Sequence, residues 1–294
     1  MSTFMHTNAT SCFNKTTNTP IVSSETPADR LCHQLRLWCG VYLDSSKQYL
    51  LENRLRKLML ELEVTDYDQL TAVAMKPSGT RIRDRIVDAL TTHETLFFRD
   101  HSPFDAIENQ IVPEIRESTK FGRPRLRIWS AACSTGQEPY SIAIRLAECL
   151  PDFSQWSISI LGTDVSSGTV ARATSGIYQT HEIQRGISER QRNTFFEKKR
   201  DDWQLVDRIR NMVSVRKGDL SGPSLPIGPF DLIFCRNVLI YFQPEDANRI
   251  LRAVASRLTA NGRLIVGSGE VLRDIDDFLV TETVGQATCY RPKG

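Results

Sequence analysis

The chain has 294 residues, 40% of them hydrophobic and 24% charged, and its formal net charge is +2. Such a length buries a sizeable core and suggests about two domains, while the near balance of charge excludes a global electrostatic footprint for nucleic acid. No apolar run reaches membrane-spanning length and the polar N-terminus lacks the apolar core of a secretory signal, so a cytoplasmic protein without membrane insertion is expected.

Residues 1–28 are rich in Ser, Thr and Asn and lack apolar periodicity, which predicts a disordered tail. From Ala28 the pattern turns helical. Leu31, Leu35 and Trp38 share one face, and Asp44-Ser45-Ser46, a run of good N-caps, precedes a second helix. Leu51, Leu55, Leu58 and Leu62 form the apolar stripe of that helix, with Lys47, Arg54 and Lys57 along its flank. These cations read either as a solvated face or as a docking face for an acidic partner helix. Shorter helices follow over residues 66–75 and 80–90, split by Lys76-Pro77-Ser78-Gly79. The next stretch, Thr91-Thr92-His93-Glu94-Thr95-Leu96-Phe97-Phe98-Arg99-Asp100, is either a helix cap with packing phenylalanines or an inter-domain segment whose polar side chains reach a ligand.

Residues 126–140 organise the remainder. Residues 126–133 are mostly apolar or small, Ser134-Thr135-Gly136 turns, and a helix opens at Glu138-Pro139. A strand, a tight turn and a helix N-terminus present backbone N–H groups and a positive dipole end to a ligand. Of the Gly-x-Gly-x-x-Gly pattern only Gly136 is present. This disfavours a pyrophosphate and leaves a nucleoside without phosphates, or an ordinary βα turn.

After residue 152 strand and helix alternate, as in a parallel sheet with helices on both faces. Residues 156–161 read as a strand ending at Gly162-Thr163-Asp164, where a carboxylate is placed to accept both bonds of a ribose diol. A helix over 165–173 follows. Residues 178–211 break the alternation with a helix start at Ser188-Glu189-Arg190-Gln191 and two strands, 195–199 and 203–209, around Arg200-Asp201-Asp202. Strands are then expected at 213–216, before Gly218-Asp219, and at 232–235, before the polar break Arg236-Asn237. A helix over 244–258, an Asn261-Gly262 turn into a strand at 263–266, and an antiparallel pair at 278–282 and 287–291 complete the chain.

The seven cysteines, Cys12, Cys32, Cys39, Cys133, Cys149, Cys235 and Cys289, form an odd, scattered set with no Cys-x-x-Cys pair. Neither a disulfide framework nor a metal site is expected. Cys133 and Cys235 end predicted strands, where a nucleophile can sit, but small buried fillers are the plainer reading.

Several motifs occur in order: Thr91-Thr92 with Thr95, Phe97, Phe98 and Arg99; Ser134-Thr135-Gly136 with Glu138-Pro139-Tyr140-Ser141; Thr163-Asp164; Ser175-Gly176-Ile177-Tyr178; and Phe230-Asp231 through Cys235-Arg236-Asn237-Val238 to Tyr241-Phe242. In these the chain resembles the chemotaxis receptor methyltransferases, the CheR family, which use S-adenosylmethionine to methylate glutamate side chains of chemoreceptors. The resemblance implies an α/β fold: a Rossmann-like class I methyltransferase sheet, an N-terminal all-helical domain and a small inserted antiparallel β-subdomain. The boundaries are a tail over 1–28, the helical domain over 29–90, an inter-domain linker over 91–125, and the methyltransferase domain over 126–294 with its β-subdomain at about 178–211.

The resemblance further implies cofactor contacts from His93, Thr95 and Arg99, from Glu138, from Asp164 on the ribose, from Asp219 and Leu220 near the adenine, and from Arg236 and Asn237. Tyr241 lines the active site, and the product is S-adenosylhomocysteine. Lys47, Arg54 and Lys57 turn towards the acidic cytoplasmic helical region of a chemoreceptor, bound by a monomer. His93 departs from the family's usual Asn, Gln137 from a frequent Glu, Asp219 from a common Asn, and Ser268-Gly269-Glu270 from a His-Ser-Glu pattern. Family members that tether to a receptor's C-terminal pentapeptide carry a glycine-rich β-loop. Residues 198–204 contain no glycine, so independence from that peptide is expected.

A glutamate with pKa about 4.3 is already ionised at neutral pH, so methyl transfer to it requires no general base. Arg99 is then the candidate for orienting the substrate carboxylate, its alternative being a salt bridge that pins the linker, and Tyr241 bounds the sulfonium. Glu138 and Asp164 also read as helix caps and Asp219 as a turn residue. A nicotinamide dehydrogenase is disfavoured by the missing glycine fingerprint. A non-catalytic module that binds a nucleotide or adenosylhomocysteine and docks on receptor helices is opposed by the joint presence of Arg99, Glu138, Asp164 and Tyr241.

Overall fold

The computed structural model describes residues 25–293 apart from residues 45, 120 and 151. The tail expected over 1–28 lies outside the described residues up to residue 24, and its last two positions already belong to α1 (Pro27–Cys39). Thr26 starts this helix: its hydroxyl accepts from the Asp29 N–H while the Asp29 carboxylate accepts from the Thr26 N–H. Gly40 stops it with φ 74°, and a Cβ there would fall 2.5 Å from Ser221 Cβ and 2.9 Å from a Phe242 ring carbon. Only glycine lets this helix end press against the later half of the chain.

α2 (Gln48–Glu61), α3 (Tyr67–Met75) and α4 (Thr80–Leu90) complete a helical unit whose core is built from Leu31, Leu35, Leu51, Leu55, Leu70 and Ile86. Residues 91–125, read above as a linker, contain a helix. α5 (Ser102–Ala106), a π-helical turn (Ile107–Ile111) and α6 (Val112–Ser118) run on without a break. The wider turn sits just before Pro113, whose ring and missing N–H spoil a regular ladder. Phe104, Ile107 and Ile111 share a core with Leu232 and Phe234, so this segment covers one face of the sheet.

The α/β unit opens with β1 (Arg125–Ala131), α7 (Gln137–Cys149), β2 (Ser157–Asp164) and α8 (Ser167–Ser175). An excursion follows: β3 (Ile177–Gln179), α9 (Thr180–Gln184), α10 (Glu189–Phe195), β4 (Phe196–Lys199), β5 (Asp202–Leu205) and α11 (Asp207–Arg210). β6 (Val213–Lys217), β7 (Phe230–Cys235), α12 (Pro244–Ala255), β8 (Leu258–Val266), β9 (Leu279–Val284) and β10 (Ala287–Pro292) finish it. Seven strands form one sheet in the order β6-β2-β1-β7-β8-β10-β9, parallel through β8 and antiparallel at β10 and β9. Ile128, Trp129, Leu232 and Ile233 are fully buried, as central parallel strands covered on both faces require.

Two local expectations are corrected. Asn261-Gly262 is no turn: β8 runs through it, and a register shift opposite Phe230 and Leu232 absorbs the irregularity. The strand expected over 203–209 ends at Leu205, because the Val206 carbonyl accepts from the Ile209 and Arg210 N–H groups and starts α11. The excursion also gains a third strand, giving an antiparallel sheet in the order β3-β5-β4.

Phe97, 1% exposed, joins residues 91–100 to this small sheet. Its ring meets Tyr178 and Phe196 edge-on at centroid distances of 4.9 and 5.7 Å. Phe97→Ala is expected to cost about 3–5 kcal/mol in urea unfolding; a loss below about 1 kcal/mol would show that the joint contributes little.

Candidate active site

The strand order reverses at β1, which pairs with β2 on one side and β7 on the other. Sheets of this kind take ligands in the crevice beyond the carboxyl ends at such a reversal. Here the loops after β1, β2, β6 and β7 meet residues 90–99 and the α1–α2 connection around a cavity of ≈ 530 Å³.

The loop after β1 is forced into an unusual course, with left-handed backbone at Ala132 (φ 58°), Ser134 (φ 49°) and Gly136 (φ 95°). Ser134 is held by its N–H, which donates to Asp164 Oδ2 at 2.8 Å, and by its hydroxyl, which donates to the His93 carbonyl at 2.9 Å. A Cβ on Gly136 would lie 2.9 Å from both Ala173 Cβ and Tyr178 Oη, so glycine is needed for its φ and for the close approach of α8.

Arg236 follows β7 with its side chain 2% exposed and reaches three partners. Nη1 donates to Glu138 Oε2 at 3.0 Å, and Nη2 donates to the Arg99 carbonyl at 2.7 Å and to Asp100 Oδ2 at 2.9 Å. Glu138 also accepts from Ser130 Oγ at 2.7 Å. Burial raises the Glu138 carboxyl above its ordinary range, and the Arg236 charge and the Ser130 hydroxyl oppose that rise.

Glu270 performs a second fixing role that the sequence did not reveal. Its carboxylate accepts four backbone N–H groups, from Gly267 and Asn237 at 2.7 Å and from Val238 and Leu239 at 2.9 Å. One side chain beyond β8 thereby sets the loop beyond β7, including the left-handed Asn237 (φ 56°). The only signal was the Ser268-Gly269-Glu270 motif at the end of an apolar strand.

His93, Thr95, Arg99, Glu138, Asp164, Asp219, Leu220, Arg236, Asn237 and Tyr241 all border the cavity, as do Lys47 and Arg54; Lys57 does not. Several are engaged differently from what spacing suggests. Arg54 departs from both readings of its flank: Nη1 donates to the Leu90 and Thr91 carbonyls at 2.9 and 3.3 Å, closing the C-terminal end of α4, where a cation is favoured. The His93 ring is taken up by the Asp88 carbonyl at 2.9 Å and Thr91 Oγ1 at 3.2 Å.

Neither Glu138 nor Asp164 caps a helix; Ser166 caps α8, and Asp164 accepts from the Ser134 N–H, the Ser166 N–H and the Thr169 hydroxyl. Of roughly four acceptor positions on that carboxylate, one is left. Asp219 closes a turn by accepting from the Ser221 N–H and hydroxyl at 2.8 and 2.7 Å. Among the described residues the Arg99 guanidinium makes no ion pair or hydrogen bond; its backbone carbonyl is what pins the segment. Cys133 and Cys235 are buried fillers whose thiols burial pushes well up, which removes the nucleophile reading.

The helical unit supplies a wall that sequence reasoning missed. Val41, Tyr42, Leu43 and Asp44 border the cavity, and the Tyr42 N–H donates to the Tyr241 carbonyl at 2.8 Å.

Comparison with known families matches residues 93–286 to "CheR methyltransferase, SAM binding domain" and residues 28–91 to "CheR methyltransferase, all-alpha domain". The chain is 38% identical over 247 residues to the chemotaxis protein methyltransferase of Vibrio parahaemolyticus, covering 81% of this chain and 86% of that protein. It is 36% identical to chemotaxis protein methyltransferase 1 of Pseudomonas aeruginosa, over 87% of this chain and 93% of that protein. Against chemotaxis protein methyltransferase 1 of Vibrio cholerae it is 36% identical, over 88% and 94%.

A carboxyl whose folded pKa lies above its unfolded value stabilises the fold below the unfolded value, and that contribution is lost as pH rises through the folded value. Arg236→Met removes the charge that restrains Glu138, so the Glu138 carboxyl moves further up. The variant is expected to lose about 3–5 kcal/mol near neutral pH. Its melting temperature should fall relative to the unsubstituted protein as pH rises above the ordinary carboxyl range; parallel curves would reject the coupling.

Proposed function

Because the chain belongs to the CheR methyltransferase family, we propose that it methylates glutamate side chains in the cytoplasmic helical region of chemoreceptors, acting as a cytoplasmic monomer. S-adenosylmethionine is the methyl donor. The relatives are chemotaxis protein methyltransferases, which supports chemoreceptor substrates. Among the described residues no helix is long and apolar enough to cross a membrane.

The lining of the cavity suits a nucleoside sulfonium without phosphates: the carboxylates of Glu138, Asp164 and Asp219, the apolar Leu220, and a β1 turn with one glycine in place of a pyrophosphate fingerprint. We assign His93, Thr95, Arg99, Glu138, Asp164, Asp219, Leu220, Arg236 and Asn237 to holding it. When bound, S-adenosylmethionine supplies an electrophilic methyl group on its sulfonium. The residues then have to aim an acceptor that is already charged. Glu138 is paired with Arg236, Asp164 accepts three hydrogen bonds, and His93 Nε2 meets the Asp88 carbonyl and the Thr91 hydroxyl.

The observation that carries this reading is Arg99, a guanidinium at the cavity without a protein partner among the described residues. It orients the incoming carboxylate, and Tyr241 bounds the reacting centre. Such alignment contributes up to about 7–11 kcal/mol in favourable cases, and a closed site strips water from the carboxylate. Residues 29–90 serve as the docking domain, 91–125 as the connection and 126–294 as the catalytic domain. Lys47 and Lys57 remain exposed on or just before α2 for an acidic receptor helix, while Arg54 braces α4.

Tritiated methyl transfer to receptor-containing membranes tests the reaction, with the label expected to be released by alkali as volatile methanol; alkali-stable label would exclude a glutamate ester. Arg99→Ala is expected to lower transfer about 10²- to 10³-fold, far more than it weakens calorimetric affinity for adenosylhomocysteine, and near-normal turnover would reject the assignment. Arg200-Asp201 alone joins β4 to β5, which supports independence from a tethering pentapeptide. Calorimetry with that peptide should give no specific heat, and micromolar binding would overturn this part.

A further inference from the structure

Beside the cavity mouth lies a second groove of ≈ 740 Å³, between the loop after β7, the start of α12 and the loop after β8. Leu239, Ile240, Phe242, Leu251, Val271 and Leu272 are the apolar part of its lining, with Glu245, Arg273 and Asp274 in the polar part. Two of these stand largely in solvent, Ile240 at 62% and Val271 at 80% exposure. Single exposed apolar residues are ordinary, but two on the walls of one groove beside a binding cavity mark a contact surface. Ile240 and Phe242 border both spaces, so groove and cavity are continuous along the short helical turn Leu239–Tyr241. The walls are also fixed relative to each other, because the Glu270 carboxylate holds Asn237, Val238 and Leu239 on one side and Gly267 on the other.

We propose that this groove seats the apolar flank of the acceptor helix, so that Ile240 and Val271 select which receptor segment presents its glutamate. The inference rests on the reading of a helical glutamate substrate given above. A helix that brings its glutamate to Tyr241 carries the residues three and four positions away on the same face, roughly 5–6 Å along. Apolar groups at those positions enter the groove, in the manner of helix-in-groove recognition.

On the α2 side Lys47 borders the cavity beside Asp44, and Lys57 is exposed further along α2. The partner that satisfies both sides is an amphipathic helix with acidic residues on one flank and apolar residues on the other. The cations draw it in, and the groove sets its register.

Steady-state methylation with the 294-residue chain and receptor-containing membranes tests this. Val271 has no part in the cofactor cavity. Val271→Glu is expected to raise KM for receptor about tenfold or more, with kcat at saturation and adenosylhomocysteine affinity unchanged, and Val271→Leu should retain the original KM. An unaltered KM in Val271→Glu overturns the groove proposal while leaving the reaction standing. So does an unaltered KM accompanied by conversion of a dimer to a monomer in sedimentation, which makes the groove a contact between two copies. Absence of methyl transfer by the unsubstituted protein overturns both the underlying reading and this one.

Discussion

One guanidinium lies at the junction of the elements that build the site. Arg236 is buried, and a buried charge is tolerated only where partners surround it. Its partners come from α7 through Glu138 and from residues 99–100 through a carbonyl and a carboxylate; Ser130 of β1 adds a bond to Glu138, and Ser268 beyond β8 adds one to Asp100. Nη1 and Nη2 are paired only when all of these stand together, while Nε has no partner among the described residues. Assembly of the cavity is therefore tied to closure of the sheet over its covering segment, and the Arg99 carbonyl cannot leave without exposing the ion cluster.

The same economy of parts governs the chemistry. An acceptor that is an ionised carboxylate, as proposed, needs no deprotonation, and the acids around the cavity act as structural fasteners. Asp164 holds the turn after β1, Glu138 balances Arg236, and Glu270 gathers four N–H groups that would otherwise point at random. Among the described residues the Arg99 guanidinium stays unfastened at the cavity, and we assign it to the substrate. Catalysis by placement asks for rigid surroundings and one adaptable cation.

The alternation of strands and helices was legible because β1 and β7 are largely buried and read as apolar runs ending in polar breaks, while β2 alternates Ser and Ile before its own polar end. The site residues at those breaks were legible for the same reason: in a parallel sheet, the carboxyl end of each strand faces the ligand. Features that depend on distant partners were not. Pro103 and Pro113 punctuate residues 102–118 and hide a helix that survives by widening one turn. Asn261-Gly262 carries a strong local turn signal, yet β8 continues through it as an irregularity, between the Phe230–Leu258 and Leu232–Arg263 pairs where the register with β7 shifts. Arg54 reads as one of several cations on a helix flank; only the approach of α4 decides that it meets two carbonyls.

The joint around Gly40 and Tyr42 limits how this architecture diversifies. A main-chain bond from Tyr42 to Tyr241 is indifferent to side-chain identity, but the contact of Gly40 with Ser221 and Phe242 is not. The helical unit is thus not a detachable cassette. A chimera that borrows it from another lineage inherits a seam whose two faces were shaped together, directly against the loop that carries Tyr241. A side chain at Gly40 would have to be met by change at Ser221 and Phe242 and would still be strained by the left-handed backbone.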